Sequence, residues 1–316
     1  MLRNVGRNLE QITYPDADKE PVAALSVRYS VPEWLTTQWL AEYGREQTEQ
    51  MMQAFLTDAP ITIRTNLRRT TPEELREKLE AEGVTVEPMD MGKYPELSYA
   101  FTISGFDYLN GLNSFREGLF YVQDLSSMLV AEWAAPKAGD VCIDVCGAPG
   151  GKSIHFAEKL DGTGSVEARD ISDNKVELIH ENIARHQLSN ITAKCWDATV
   201  LDEESIEKAD IVIADLPCSG LGVLRKKTDI KYRMSASAEA ELVKLQRSIL
   251  QVVASYVKPG GTLMYSTCTI HRAENEENVA WFVARHPEFT VEKMQQIFPE
   301  ETLGDGFFIA RLVRRA

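Results

Sequence analysis

Residues 141–153 read VCIDVCGAPGGKS, an apolar run that closes on Asp144 and passes through a glycine turn into the amphipathic stretch KSIHFAEKL. The pattern predicts a buried strand, a tight loop and a helix, the repeating unit of a parallel α/β sheet. The loop excludes two common nucleotide-binding designs. A P-loop needs four residues between its first Gly and the Gly-Lys-Ser/Thr, but only Ala148, Pro149 and Gly150 separate Gly147 from Gly151, and Pro149 removes an amide donor. Nor does it match G-x-G-x-x-G. What is left is a turn whose amides are expected to face a ligand. Asp170 closes the next strand, near the spacing of about 20 residues at which an acid meets a ribose diol. Together these suit an adenosine-type ligand without a triphosphate, and S-adenosylmethionine is the economical expectation.

The same texture continues outward from residue 119 to the end. Strand-like runs LFYV, VCIDV, SVEARD, ITAKC, DIVIAD, TLMYST and FFIARLV alternate with helical ones at SSMLVAEWAA, NKVELIHENIARH, EAELVKLQRSILQVVASYV and ENEENVAWFVARH. This predicts a parallel, doubly wound sheet with ligands beyond the carboxyl ends of its strands. On that edge fall Asp144, Asp170, Asp197, Asp215 and Cys268. One strand-end carboxylate is often only a helix cap, but five groups on one edge point to a site.

Upstream, residues 21–118 read as a smaller α+β unit. VPEWLTTQWLAEYGREQTEQMMQAFL predicts two short helices broken near Gly44, and ITIRTNL, VTVEP and LSYAFTI predict strands. TPEELREKLEAEG predicts a helix with Thr71 as N-cap, Pro72 in the first turn, Glu74 closing a capping box and Gly83 as its stop. Residues 1–20 have no hydrophobic period and read as an arm or linker.

The chain has 316 residues with 34 Lys+Arg against 48 Asp+Glu, a net charge of −14. That balance argues against coating nucleic acid by bulk attraction, though not against a local basic groove. Two clusters qualify: Arg64, Arg68 and Arg69, and Arg225, Lys226, Lys227, Lys231 and Arg233. No apolar run reaches membrane-helix length and the N-terminus is too polar for a secretory signal, so a cytoplasmic protein is expected.

The five cysteines, 142, 146, 195, 218 and 268, are odd in number and scattered, as reduced thiols are. They lack zinc spacing, and the five histidines show none either, so no metal is expected. Cys142 and Cys195 lie in or at the end of apolar strands and are expected to be inert and buried. Cys218 and Cys268 differ, because both fall in loops beyond strand ends. A helix beginning near His271 would raise the thiolate fraction there, opposed by Glu274, Glu276 and Glu277 if they turn inward.

In order along the chain, DVCGAPGGKS, ARDIS, DLPCSG, YSTCTI with ENEENV, and DGFFIARL resemble the successive motifs of the Nop2/Sun family of RNA 5-methylcytosine methyltransferases. YSVPEWL, IRTNL and LFYVQDLSS are most similar to the bacterial small-subunit ribosomal RNA members. Gly147 departs from the usual Ala of the family loop, and Thr228 from a common Pro before Asp-Ile-Lys. The resemblance implies a Rossmann-like class I methyltransferase sheet over residues 119–316, behind a small α+β RNA-binding domain at 21–118. It likens MLRNVGRNLEQI to the exit of an upstream NusB-like domain, making 1–20 either an arm or its remnant.

The resemblance also implies roles. Cys268 would attack C6 of a cytosine, Cys218 would serve release of the adduct, and Asp215 would touch the ring edge as a protonated carboxyl while also counting with the cofactor-site residues. Cys146, Gly147, Ala148, Pro149, Gly150, Gly151 and Lys152 would wrap the methionine and ribose portions of S-adenosylmethionine, Asp170 the ribose hydroxyls and Asp197 the adenine amino group. The implied partner is RNA, most closely 16S ribosomal RNA, met by a monomer at a base lifted from its stack. Two alternatives stay open: a methyltransferase acting on an exocyclic amine or small molecule without a thiol adduct, and a non-catalytic RNA-binding assembly factor on the same fold.

Overall fold

The computed structural model describes residues 13–89, 92–302 and 304–316. The NusB-like exit expected at residues 1–12 lies outside the described residues, and residues 13–20 form only coil and a turn.

The chain begins with a helical pair, α1 (Pro21–Tyr29) and α2 (Glu33–Ala54), the latter interrupted where Gly44 takes φ 74°. Next come β1 (Ile61–Thr65), α3 (Pro72–Ala81), β2 (Thr85–Pro88), β3 (Ala100–Ser104), α4 (Asn113–Arg116) and β4 (Phe120–Val122). The Thr71 capping box on α3 is formed from both sides: the Thr71 hydroxyl accepts from the Glu74 amide, and the Thr71 amide donates to the Glu74 carboxylate. The four strands make an antiparallel sheet in the order β2-β3-β1-β4.

Two segments sit differently from expectation. The strand LFYV, placed by its texture at the head of the large unit beyond residue 118, pairs with β1 (Ile63 opposite Val122). Its reason is apolar: Leu119 and Phe120 join Ile63, Leu75, Leu79 and Phe101 in the core of the small sheet. The helical pair, expected within the 21–118 unit, instead packs Leu25, Leu35, Trp39, Met51 and Phe55 against Leu221, Leu224 and Ile270 of the large unit.

The large unit contains α5 (Leu125–Ala134), β5 (Val141–Asp144), α6 (Gly151–Lys159), β6 (Ser165–Asp170), α7 (Asp173–His186), β7 (Ile191–Cys195) and β8 (Ala209–Asp215). After α8 (Ile230–Arg233) and α9 (Ala236–Val253) come β9 (Val257–Thr267), α10 (Glu276–Arg285), β10 (Phe289–Ile297) and β11 (Phe307–Arg314). These seven strands order as β10-β11-β9-β8-β5-β6-β7. β9 through β7 are parallel, and β11 and β10 close the sheet antiparallel. β10 was not expected, because its polar, largely exposed face gives no apolar run, as suits an edge strand.

Side-chain alternation explains why the inner strands read as continuous apolar runs. Cys142, Ile211, Ile213, Met264 and Ile309 face a layer containing Met128, Leu129 and Phe156. Their neighbours Ile143, Val212, Leu263, Tyr265 and Phe308 face Ile249, Leu250, Val279 and Phe282 on the other side. With both faces covered, only the strand ends remain for polar chemistry. The chain turns to opposite sides of β5 at β6 and β8, so the switch point lies between β5 and β8.

Candidate active site

Each expected acid stands where the sheet topology puts it. Asp144 ends β5, fully buried, accepting from the Ser153 hydroxyl at 2.6 Å. Burial, the largest influence, pushes its carboxyl up to about 7; Asp215 adds to the rise, and the Ser153 bond and Lys152 pull back. Asp170 ends β6 and accepts from the Ala148 amide at 3.0 Å and the Ile171 amide at 2.8 Å, with Lys175 Nζ at 2.9 Å. Asp197 follows β7, and bonds from the Thr199 hydroxyl and amide hold it below the usual carboxylate range. Asp215 ends β8 between Lys152 Nζ at 2.6 Å and Ser266 Oγ at 2.7 Å.

The glycine turn departs from expectation. The Gly147 amide donates to Arg169 O at 2.7 Å, the Ala148 amide to Asp170, and the Gly150 amide to Gly147 O at 2.7 Å, while the Ala148–Pro149 peptide is cis. These three amides are consumed within the protein and do not face a ligand.

Two cavities meet at this edge. The larger, about 420 Å³, is lined by Gly147, Pro149, Gly151 and Lys152 together with Asp124, Asp144, Lys227, Asp305 and Phe307. The smaller, about 270 Å³, is lined by Asp170, Asp197 and Lys175, the apolar Ile171, Ala198, Leu216, Leu245 and Ile249, and Cys218. Cys146, Ala148, Asp215 and Cys268 line both. Lys152 therefore belongs to the larger cavity, where it bridges to Asp215 and lies 5.4 Å from the Phe307 ring centre. Burial, the largest influence on its ammonium, opposes the charge, but the Asp215 carboxylate outweighs it and raises the pKa.

The thiols of Cys218 and Cys268 converge from different loops to 3.4 Å. Cys218 is pushed well above the usual thiol range, first by its hydrogen bond with Cys268, then by burial and by the charges of Cys268 and Glu274. Burial also raises Cys146 and Cys142. Cys195, expected to be buried, is exposed because β7 is an edge strand. The helix expected to begin near His271 is a single turn, Arg272–Glu274, ahead of α10, and Glu274 does turn inward, to full burial. Near the thiols two backbones touch: the Gly222 amide donates to Cys268 O at 3.0 Å and the Gly306 amide to Gly222 O at 2.9 Å, and a Cβ on Gly222 would fall 1.9 Å from Gly306 O.

Much of the expected basic surface is consumed internally. Arg64 is buried against Glu158, with its Nε on Gln123 at 2.8 Å, and Arg68 pairs with Asp161. Arg225 donates to the carbonyls of Ala54, Gly304 and Pro299, Lys226 bridges Asp124 and Asp305, and Lys231 is buried. Lys227 is exposed at the larger cavity. Sequence reasoning missed Ser153, Ser266 and Lys175, which fix three of the four strand-end acids; YST beside Cys268 and the Lys five residues past Asp170 were the available signals.

Among the described residues no group of three or more His, Cys, Asp or Glu is placed to hold a metal ion, and no helix is long and apolar enough to cross a membrane. A family model described as 16S rRNA methyltransferase RsmB/F matches residues 131–313, and one for an RsmF/B-like ferredoxin-like domain matches 31–94. The chain is 37% identical to the Bacillus subtilis protein named "Probable ribosomal RNA small subunit methyltransferase B", covering 100% of this chain and 73% of that one. It is 32% identical to ribosomal RNA small subunit methyltransferase B of Vibrio cholerae, covering 100% and 71%. The crystal structure of PH0851 superposes with TM-score 0.87 at 29% identity, over 95% of this chain and 69% of that one. That of NSun6 from Pyrococcus horikoshii with SFG gives 0.80 at 23% identity, over 90% and 98%, a likeness of fold. With a strand-end acid array, paired thiols and these matches along its length, the chain belongs to the 16S rRNA methyltransferase RsmB/F family.

Proposed function

We propose that the protein transfers a methyl group from S-adenosylmethionine to C5 of a cytosine in small-subunit ribosomal RNA through a covalent bond between Cys268 and C6 of the base. The observation that carries this is the pair of sulfurs 3.4 Å apart, Cys268 lining both cavities and Cys218 the smaller. A methyltransferase acting on an exocyclic amine needs a donor pocket and a base, but no second thiol.

The smaller cavity suits the donor. It offers Asp170 and Asp197 to hydroxyl and amino groups and an apolar wall to an adenine. Bound there, S-adenosylmethionine supplies an electrophilic methyl on a sulfonium. The larger cavity takes the flipped base, with Lys152 and Asp215 at its floor and Lys227 at its rim toward the RNA backbone.

Cytosine C5 is a poor nucleophile until a thiolate adds to C6 and pushes electron density onto C5. The Cys218 thiol, held protonated, donates toward the Cys268 sulfur and stabilises negative charge there. The Lys152 ammonium lies where charge develops on the ring. Once the Cys268 sulfur is bonded to C6 it carries no charge, so the part of the Cys218 rise that comes from Cys268 falls away, while burial and Glu274 remain. Cys218 then loses its proton to water, takes the C5 proton as a thiolate, and the C6–S electron pair returns to Cys268 as the C5–C6 double bond reforms. One proton is released per methyl, and both thiols recover their starting states.

Transfer of labelled methyl to unmodified 16S ribosomal RNA tests the assignment. Cys218→Ala is expected to leave an RNA–protein adduct on a denaturing gel, and Cys268→Ala to give neither adduct nor product. An active Cys268→Ala enzyme overturns the mechanism, and a wild type that binds RNA but transfers nothing makes the chain a binder.

A further inference from the structure

Cys218 and Cys268 leave the ends of two adjacent parallel strands, β8 and β9, where Asp215 is paired with Ser266. Neighbouring strands run about 4.8 Å apart, and loops leaving them are free to diverge unless something ties them. The tie lies one residue beyond each thiol. Ser219 Oγ and Thr269 Oγ1 are 2.7 Å apart, and both Glu274 oxygens grip Ser219, one from its amide at 2.9 Å and one from its hydroxyl at 2.5 Å. Gln246 of α9 adds a bond to Glu274 Oε2 at 2.8 Å. Glu274 and Thr269 are fully buried, Ser219 nearly so, and none of the three lines either cavity.

We infer that this buried Glu274–Ser219–Thr269 bridge holds the two sulfurs at their working separation, which makes Glu274 a positioning residue for the Cys218 step. The inference rests on the reaction assigned above. A carboxylate is required because it only accepts. The Ser219 hydroxyl gives its single proton to Glu274, so Thr269 must donate to Ser219, and the whole chain of hydroxyls is oriented from one end. An amide at 274 either turns its NH2 on the Ser219 amide and Gln246 Nε2, leaving buried donors facing a donor, or turns it on Ser219 Oγ and reverses the direction of the hydroxyl chain.

The test uses the full chain and two readouts. A diazene oxidant removes two protons and two electrons from a pair of thiols, and the Cys218–Cys268 cross-link is then counted by mass spectrometry of the linked peptides. Thr269→Val, which keeps the shape and loses the hydroxyl, and Glu274→Gln are expected to slow cross-linking about tenfold, whereas Thr269→Ser stays near wild type, since a disulfide tolerates little change in sulfur geometry. In methyl transfer the same two variants are expected to lose roughly 10- to 100-fold in kcat, with KM for S-adenosylmethionine unchanged, and to accumulate the RNA adduct as Cys218→Ala does. Ser219→Ala, which cuts the bridge at its middle, replaces Glu274→Gln if that protein is poorly folded. Cross-linking at the wild-type rate in Thr269→Val and in the second variant overturns the inference. Slow cross-linking in the variants beside a wild type that transfers no methyl leaves the bridge standing and overturns the reaction instead.

Discussion

Asp144 shows how a single buried acid sets a pH dependence. Its carboxyl is raised to about 7, mainly by burial, against about 3.9 in an unfolded chain. Between those values the folded protein holds more protons than the unfolded one, so this group's contribution to stability is full below about pH 4 and is lost as pH rises through 7. Asp305, raised to about 7 by burial and by Asp124, acts in the same direction. Asp144→Asn keeps an acceptor for Ser153 and removes the titration. The variant's melting temperature is expected to gain on the wild type's as pH climbs from 5 to 7.5; a constant gap across that range would contradict the assignment. The positions of Asp144, Asp170, Asp197 and Asp215 were readable because an acid closing an apolar run declares itself. Their partners were not, because Ser153, Lys175 and Ser266 take meaning only once distant strand ends are side by side.

Local signals did best at the scale of elements. The α3 cap was readable from Thr71, Pro72 and Glu74 alone, because a capping box is made within four residues. Thr71→Ala is expected to cost about 1 kcal/mol, visible as faster amide exchange across residues 72–81 with methyl transfer near wild type. Unchanged exchange there would mean that tertiary packing, through Leu75 and Leu79, holds the helix without its cap. The misplaced elements failed for the opposite reason. β4 and the α1–α2 pair carry ordinary apolar patterns, and a pattern says that a face is buried without saying against what. β10 escaped because an edge strand with a wet face has no pattern to find.

At the scale of the whole molecule, the expected RNA-binding arginine is a fastener between units. Arg64 on β1 is buried against Glu158 of α6, and Glu158 also receives His186 of α7 at 3.1 Å. Burial is the largest influence on Glu158 and disfavours its charge, yet Arg64 and His186 outweigh it and hold the carboxyl below its usual range. Removing one partner of such a pair strands the other, so Arg64→Met is expected to destabilise by about 3–5 kcal/mol. The folded fraction should still show the wild-type salt dependence of RNA affinity, whereas Lys227→Ala lowers that slope by about one. A reduced slope in Arg64→Met would return Arg64 to the RNA surface. The sequence could not make this distinction, because a buried arginine and a solvated one are written with the same letter and only the facing glutamate separates them.

The meeting of Gly222 and Gly306 carries a lesson for anyone wishing to re-engineer the enzyme. With no room for a methyl group between those backbones, the DLPCSGLG and DGFF segments are matched parts. A chimera that borrows one from a distant homologue must borrow the other, or accept a thiol loop pried away from the strand it leans on.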